Sequence, residues 1–145
     1  MSAVPQVTKT GPRTYVAAEL ITGGQAVEGR ASERIGVAAA GSVRVLGVAL
    51  TDAVPPEAFS AGTTLVGGRP TLMAAISPSE TAVAYAPDEV PVLYSAAAQF
   101  GDALVVTAGG AFAPAAEDSD PRAIVARCTA PAGVAAGARG LARIL

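Results

Sequence analysis

Between Leu20 and Leu50 the chain alternates short apolar runs with glycine-rich or charged breaks. Leu20-Ile21 leads through Thr22-Gly23-Gly24 to Gln25-Ala26-Val27, then comes Arg34-Ile35-Gly36-Val37-Ala38, then Val43-Arg44-Val45-Leu46-Gly47-Val48-Ala49-Leu50. Apolar runs this short, bounded by turn residues, predict β-strands joined by tight turns. The same grammar extends along the chain and predicts strands at 15–18, 25–28, 34–38, 43–50, 71–76, 81–86, 90–94, 103–107, 111–113, 123–129 and 140–145. A turn-rich stretch carrying Val54-Pro55-Pro56, Ala61-Gly62 and Gly67-Gly68-Arg69-Pro70 separates the first four from the rest. The alanine triplets 38–40 and 96–98 each have room for one helical turn. Gly and Pro punctuate the chain too often for a long helix. Strand number and spacing therefore predict an all-β protein, a small barrel or sandwich.

The first 14 residues, MSAVPQVTKTGPRT, read as an extended arm. Pro5 and Pro12 suit neither a helix interior nor a sheet ladder, and Gly11-Pro12 marks a bend. This composition fits both a frayed terminus and an arm that orders against a partner. The layout expected is an arm at 1–14 and a single β-rich domain at 15–145. The loop 114–121 (PAAEDSDP) is acidic and expected to be exposed. A weak internal echo also runs through the chain. Gly24-Gln25-Ala26-Val27, Ile35-Gly36-Val37-Ala38 and Leu46-Gly47-Val48-Ala49 are followed in the same order by Gly101-Asp102-Ala103-Leu104, Ala111-Phe112-Ala113-Pro114 and Ile124-Val125-Ala126-Arg127. A chain rich in Ala, Gly and Val also generates such echoes by chance, so duplication is compatible with the pattern without being required by it.

At 145 residues the chain is long enough to bury a real core, but aromatics are only 4% and Trp is absent. The core must be built from Val, Leu, Ile and Ala, which bury little area each at roughly 25 cal/mol per Å². Subunit contacts are expected to add stability. The excess of Ala and Arg is also what a GC-rich genome produces. Net charge is −2, too small for general nucleic-acid affinity, but unevenly spread. The first 18 residues carry Lys9 and Arg13 and no acid. From Thr71 to Pro121 there are seven acids and no Lys or Arg, and from Arg122 onward four arginines and no acid. Opposite-sign segments of this kind suit complementary assembly faces, or simply solvated strand faces and loops. The single Cys128 lies in an apolar run and reads as a buried, inert thiol. No apolar leader follows the early basic residues, and no run reaches the roughly 18 apolar residues of a membrane span. Synthesis in a cytoplasm is expected.

No histidine occurs, which removes Ser-His-Asp and Cys-His nucleophile systems and His-based zinc sites. One Cys cannot build a thiolate metal site. Glu117, Asp118 and Asp120 form the one carboxylate cluster, without the remaining ligands of a calcium loop. Gly23-Gly24-Gln25 spells the tripeptide of peptide-release factors, but it opens a predicted strand in an acidic chain and reads as a turn. Gly67-Gly68-Arg69 and Gly109-Gly110 lack the residues that follow in phosphate loops and read as hairpin turns. The expectation is no enzyme, no cofactor and no metal.

The block Ile21-Thr22-Gly23-Gly24-Gln25-Ala26-Val27, followed by Val43-Arg44-Val45-Leu46-Gly47-Val48-Ala49, resembles the opening of small tailed-phage capsid decoration proteins. That family reads I-T-x-G-Q-x-V and then V-x-V-L-G-V-A. Asp120-Pro121-Arg122-Ala123-Ile124-Val125-Ala126-Arg127 and the strand at 139–145 also resemble it, whereas 52–92 matches no familiar pattern. The resemblance implies a small β-barrel, β-tulip or β-clip-like body on the outer surface of the expanded head. Its partner would be the major capsid protein, whose subunits it cements as a homotrimer, with no nucleic acid or membrane involved. In that family the N-terminal segment reaches the shell. By position and character this assigns capsid binding to Pro5, Gln6, Val7, Thr8, Lys9, Thr10, Gly11, Pro12 and Arg13. Rival expectations are a small-ligand or carbohydrate-binding β-clip domain, and another virion part such as a head-fibre base or a tail-tube accessory.

Overall fold

The computed structural model of the protein describes residues 11–58, 63–66, 69–72 and 78–145. Its strands are β1 (Arg13–Val16), β2 (Ala26–Gly29), β3 (Ile35–Val37), β4 (Val45–Ala49), β5 (Thr63–Val66) and β6 (Arg69–Leu72), then β7 (Glu80–Ala84), β8 (Glu89–Leu93), β9 (Ala103–Val106), β10 (Phe112–Pro114), β11 (Ile124–Cys128) and β12 (Arg139–Ile144). The described residues contain no α-helix, only short 3-10 turns. The chain is all-β, as the pattern of apolar runs requires. Every predicted strand but that at 71–76 is present, displaced by at most two residues at its ends. The alanine triplets form no helical turn. Ala38 donates its N–H to Ala26 O and Ala98 exchanges backbone bonds with Val134, so both extend the sheet pattern.

The proline-rich stretch differs from expectation. Thr63–Val66 forms β5 and pairs antiparallel with β6, which begins at Arg69-Pro70 where a turn was expected. The turn expected at Gly67-Gly68 lies between the two strands, outside the described residues. Pro70 is tolerated because this two-stranded sheet leaves one side of each strand without a ladder to satisfy. Of the strand expected at 71–76, residues 73–76 lie outside the described residues.

The remaining ten strands form two five-stranded antiparallel sheets, ordered β1-β7-β4-β2-β3 and β8-β12-β11-β9-β10. Taken in chain order within each sheet, the two topologies are the same. The correspondence continues at the level of single atoms. Ala17 donates to Ser79 O and bridges in parallel to Ile35; Tyr94 donates to Ala138 O and bridges in parallel to Phe112. Thr22 N–H is capped by Gln25 Oε1 at 2.7 Å, and Gln99 N–H by Asp102 Oδ2 at 2.8 Å. Gly24 and Gly101 sit at φ 94° and 90° in the matching turns. Both sheets carry a register shift at the same pairing, β2 with β4 and β9 with β11. The chain therefore consists of two copies of one five-stranded unit, with the β5–β6 hairpin inserted in the first. The echo visible in the sequence matches this duplication in its first block, Gly24 with Gly101. It is one residue out of register in the others, since Phe112, not Ala111, occupies the place of Ile35.

Each unit buries an equivalent interior. Ile21, Val27 and Ile35 in the first correspond to Ala98, Leu104 and Phe112 in the second, all less than 5% exposed. Tyr94 stands in the place of Ala17 and Ala98 in the place of Ile21, so large and small residues exchange positions between the two interiors. Cys128 is free and fully buried, an inert apolar residue in the place of Ala49. Residues of the first unit, Ala26, Ala38, Val48 and Ala84, join Val90, Val92 and Val106 of the second in one cluster that holds the units together.

Each sheet curls until its outer strands meet at the single Ala17–Ile35 or Tyr94–Phe112 bridge. Beyond that bridge the outer strands part, so neither sheet is a closed barrel. In the second unit the gap between β8 and β10 is filled by the first: Gly24 O accepts from Leu93 N–H at 3.1 Å, and Gln25 Nε2 donates to Gly109 O at 2.8 Å. A side chain at Gly110 would bring its Cβ within 2.9 Å of Ala26 O, so this approach requires glycine.

Candidate functional site: an edge strand and its groove

The corresponding gap in the first unit, between β1 and β3, is an open groove of about 440 Å³. Its walls carry Arg13, Tyr15, Arg30, Glu33, Arg34 and Leu46. Of the residues assigned to capsid binding, Pro5, Gln6, Val7, Thr8, Lys9 and Thr10 lie outside the described residues. Gly11 and Pro12 lead into the groove rim, and Arg13 is the exposed first residue of β1. The described chain thus enters the body at an edge strand. Strand pairing begins at Arg13, two residues earlier than the sequence suggests, because Arg13 and Thr14 pair with Val83 and Ala82 of β7.

Backbone polarity defines what the groove offers. Ala17 N–H points to Ser79, so by the alternation of an antiparallel ladder the N–H groups of Thr14 and Val16 point away from β7, toward the groove. The counterpart of Val16 in the second unit is Leu93, whose N–H is taken by Gly24. An extended segment laid in the groove meets a strand edge left unpaired among the described residues, of the kind that β-augmentation uses. The contact made in the second unit cannot be copied here by the same geometry. Ser32 and Glu33 stand where that unit has Gly109 and Gly110, and hold φ of 60° and 58°. Each left-handed non-glycine residue costs on the order of 1 kcal/mol, and the Glu33 side chain fills the space that Gly110 leaves clear.

Two of the arginines around the groove are locally paired. Arg30 bonds Glu28 at 2.6 Å, approaches Glu19 at 3.5 Å and donates to Val37 O at 2.8 Å, tying β2 to β3. Arg34 pairs with Glu57 at 2.5 Å. The Arg13 guanidinium lies 5.2 Å from the centre of the Tyr15 ring, a cation–π contact at the rim. Tyr15 and Tyr85 share a hydrogen bond between their hydroxyls. Burial and that bond push the Tyr85 hydroxyl up to about 12, so it stays neutral. Apart from Arg13, no member of this network was singled out in the sequence, since its contacts join separate strands and loops that become neighbours only on folding.

The Ser42 hydroxyl donates to Glu28 at 2.6 Å and, with Arg30 beside it, holds the Glu28 carboxyl below its ordinary value of 4.5. A carboxyl depressed on folding contributes stability that is complete above its unfolded value and is lost as pH falls through the folded one. Acid unfolding is therefore expected to include a Glu28 contribution below about pH 4.5 that Glu28→Gln lacks. Carbon-detected NMR titration checks it, and a Glu28 midpoint at or above the ordinary value would refute it.

A second concavity, about 520 Å³, lies at the far end of the second unit beside Phe100, Pro131 and Val134. Phe100 is 66% exposed there. Gln99 is the one polar side chain on its wall, so the convergent polar groups expected of a sugar or small-ligand site are missing from it. The carboxylates of the 114–121 loop are largely exposed, and among the described residues no group of acids, Cys or His is arranged to hold a metal ion. No helix among the described residues is long and apolar enough to cross a membrane.

The chain is a two-unit all-β body with an open edge groove. Its overall fold is similar to that of a solved phage protein, the N base of head fiber gp8.5 in bacteriophage phi29, at a TM-score of 0.63 and 15% identity over 92% of each chain. No family model and no curated protein sequence matches the chain.

Proposed function

We propose that the protein is a non-catalytic structural component of a tailed-phage virion. In the specific form we favour, it is a decoration protein that binds the outer surface of the expanded head and cements neighbouring major capsid subunits. The observation that carries this reading is the fold shared over nearly the whole chain with a head-fiber base. The decoration-like block supports it, because Ile21 to Ala49 spans β2, β3 and β4, three of the five strands of the first unit, and β3 bounds its groove. The reading assigns the arm at Pro5 to Arg13 to the shell, with the β1 edge and groove beside it available to an extended shell segment. Many such contacts, each modest, sum through multivalency to resistance against internal pressure. A homotrimer would multiply them further. The head-fiber base itself is the second reading, favoured by the identity of the structural neighbour.

Co-sedimentation with empty expanded heads tests the proposal. The full chain is expected to saturate the heads, and deletion of residues 2–10 to weaken binding at least about tenfold while leaving the body folded. The deletion stops at Thr10 because removal through Thr14 would strip β1 of two paired residues. Unchanged occupancy by the truncated protein would overturn the arm assignment.

A further inference from the structure

The duplicated unit exposes in its second copy a surface that it covers in its first. In the first unit one rung of the sheet runs through Ala26, Val48 and Ala84, all at most 2% exposed beneath the second unit. The same rung in the second unit runs through Ala103, Arg127 and Arg143, and both arginines are exposed. Arg127 and Arg143 are direct cross-strand partners, which brings their Cβ atoms to roughly 5 Å, and like charges so placed are destabilising. Alternation along β12 sets Arg139 and the half-exposed Leu141 on the same face. The counter-charge is slight: Glu89 reaches Arg143 at 3.7 Å, and among the described residues Arg127 and Arg139 enter no ion pair.

The complement to this face is on the same chain. Glu117 and Asp118 lie exposed in the loop between β10 and β11 and enter no ion pair among the described residues, whereas Asp120 beside them is committed to Arg122 at 2.8 Å. We propose that the Arg127–Arg143 face of β11 and β12 is the docking surface for a second copy of this chain, whose Glu117–Asp118 loop supplies the carboxylates. Paired guanidiniums match carboxylates in bidentate geometry, and Leu141 gives the contact an apolar centre. Exposed ion pairs of this kind weaken with salt, so association is salt-sensitive. The inference names an interface for the self-association in the proposed function but does not depend on head binding.

Light scattering during size exclusion of the full chain, at roughly 50 mM and 500 mM salt, tests it. The protein is expected to run as an oligomer at low salt and to lose mass at high salt. Arg127→Glu with Arg143→Glu, and separately Glu117→Lys with Asp118→Lys, should each weaken association by about tenfold or more, and combining all four should restore it. The loop variant touches no buried position, so it reports even if the sheet variant misfolds. A wild-type chain that is monomeric at low salt overturns the proposal. So does an oligomer that survives the loop substitutions, or folded variants whose combination fails to recover. Loss of head occupancy by the arginine variant with its mass unchanged would assign the face to the shell and also overturn it. Failure of head binding with the mass pattern intact would count against the proposed function alone.

Discussion

Gly47→Ala is expected to destabilise the protein by about 2–3 kcal/mol, lowering its melting temperature by roughly 5–10 °C. Gly47 is buried in the middle of β4, between β2 and β7. A Cβ there would stand 2.0 Å from Ala84 O and 2.9 Å from a Val83 methyl. The nearer obstacle is backbone that already belongs to the β4–β7 ladder, so no rotamer change relieves it. The second unit supplies an internal control, since its matching position is Ala126, buried at 1% with its side chain accommodated. Ala126→Gly is accordingly expected to cost no more than about 1 kcal/mol, mainly through backbone entropy. Thermal unfolding followed by circular dichroism measures both. Equal effects at the two positions would contradict the steric account.

Phe112→Ala is expected to cost about 3–5 kcal/mol. Phe112 is 1% exposed and ranks with Tyr94 as the largest fully buried side chain. It also stands where the second sheet curls onto itself, bridging Tyr94 and accepting a bond from Ser95 N–H at 2.9 Å. Apart from Tyr94 the core is built from aliphatic residues, mostly Ala and Val, whose side chains are too short to collapse into the space a lost ring leaves. Because both units share one apolar cluster, the loss should lower the denaturant midpoint of the whole body. A midpoint unchanged within error would show that the second unit does not depend on this ring.

Strand positions were legible because each apolar run is short and bounded by Gly, Pro or charge, and the Gly23-Gly24 turn declared itself through its neighbours. The thiol of Cys128 was legible for the same reason. Strand β5 and the start of β6 were not, since Arg69-Pro70 carries turn residues and their tolerance depends on an edge that only the fold creates. The duplication was half legible. Gly24 and Gly101 align because both turns need a left-handed residue, whereas Ile35 and Phe112 differ in type and letter matching slipped to Ala111. Contacts that depend on register stayed hidden: the approach of Gly24 to β8, the Arg30 ties across two strands, and the opposed arginines at 127 and 143. For the candidate site, the sequence placed Arg13 at the end of an arm, and the fold adds the edge strand and groove beside it.

The central claim is that this two-unit body sits on the outside of a phage head. Cryo-electron microscopy of expanded heads saturated with the full chain tests that claim directly. The account predicts added density on the outer surface that fits both five-stranded units, with each copy touching more than one major capsid subunit. Heads that show no added density, from a preparation in which the protein is folded and in excess, would contradict it.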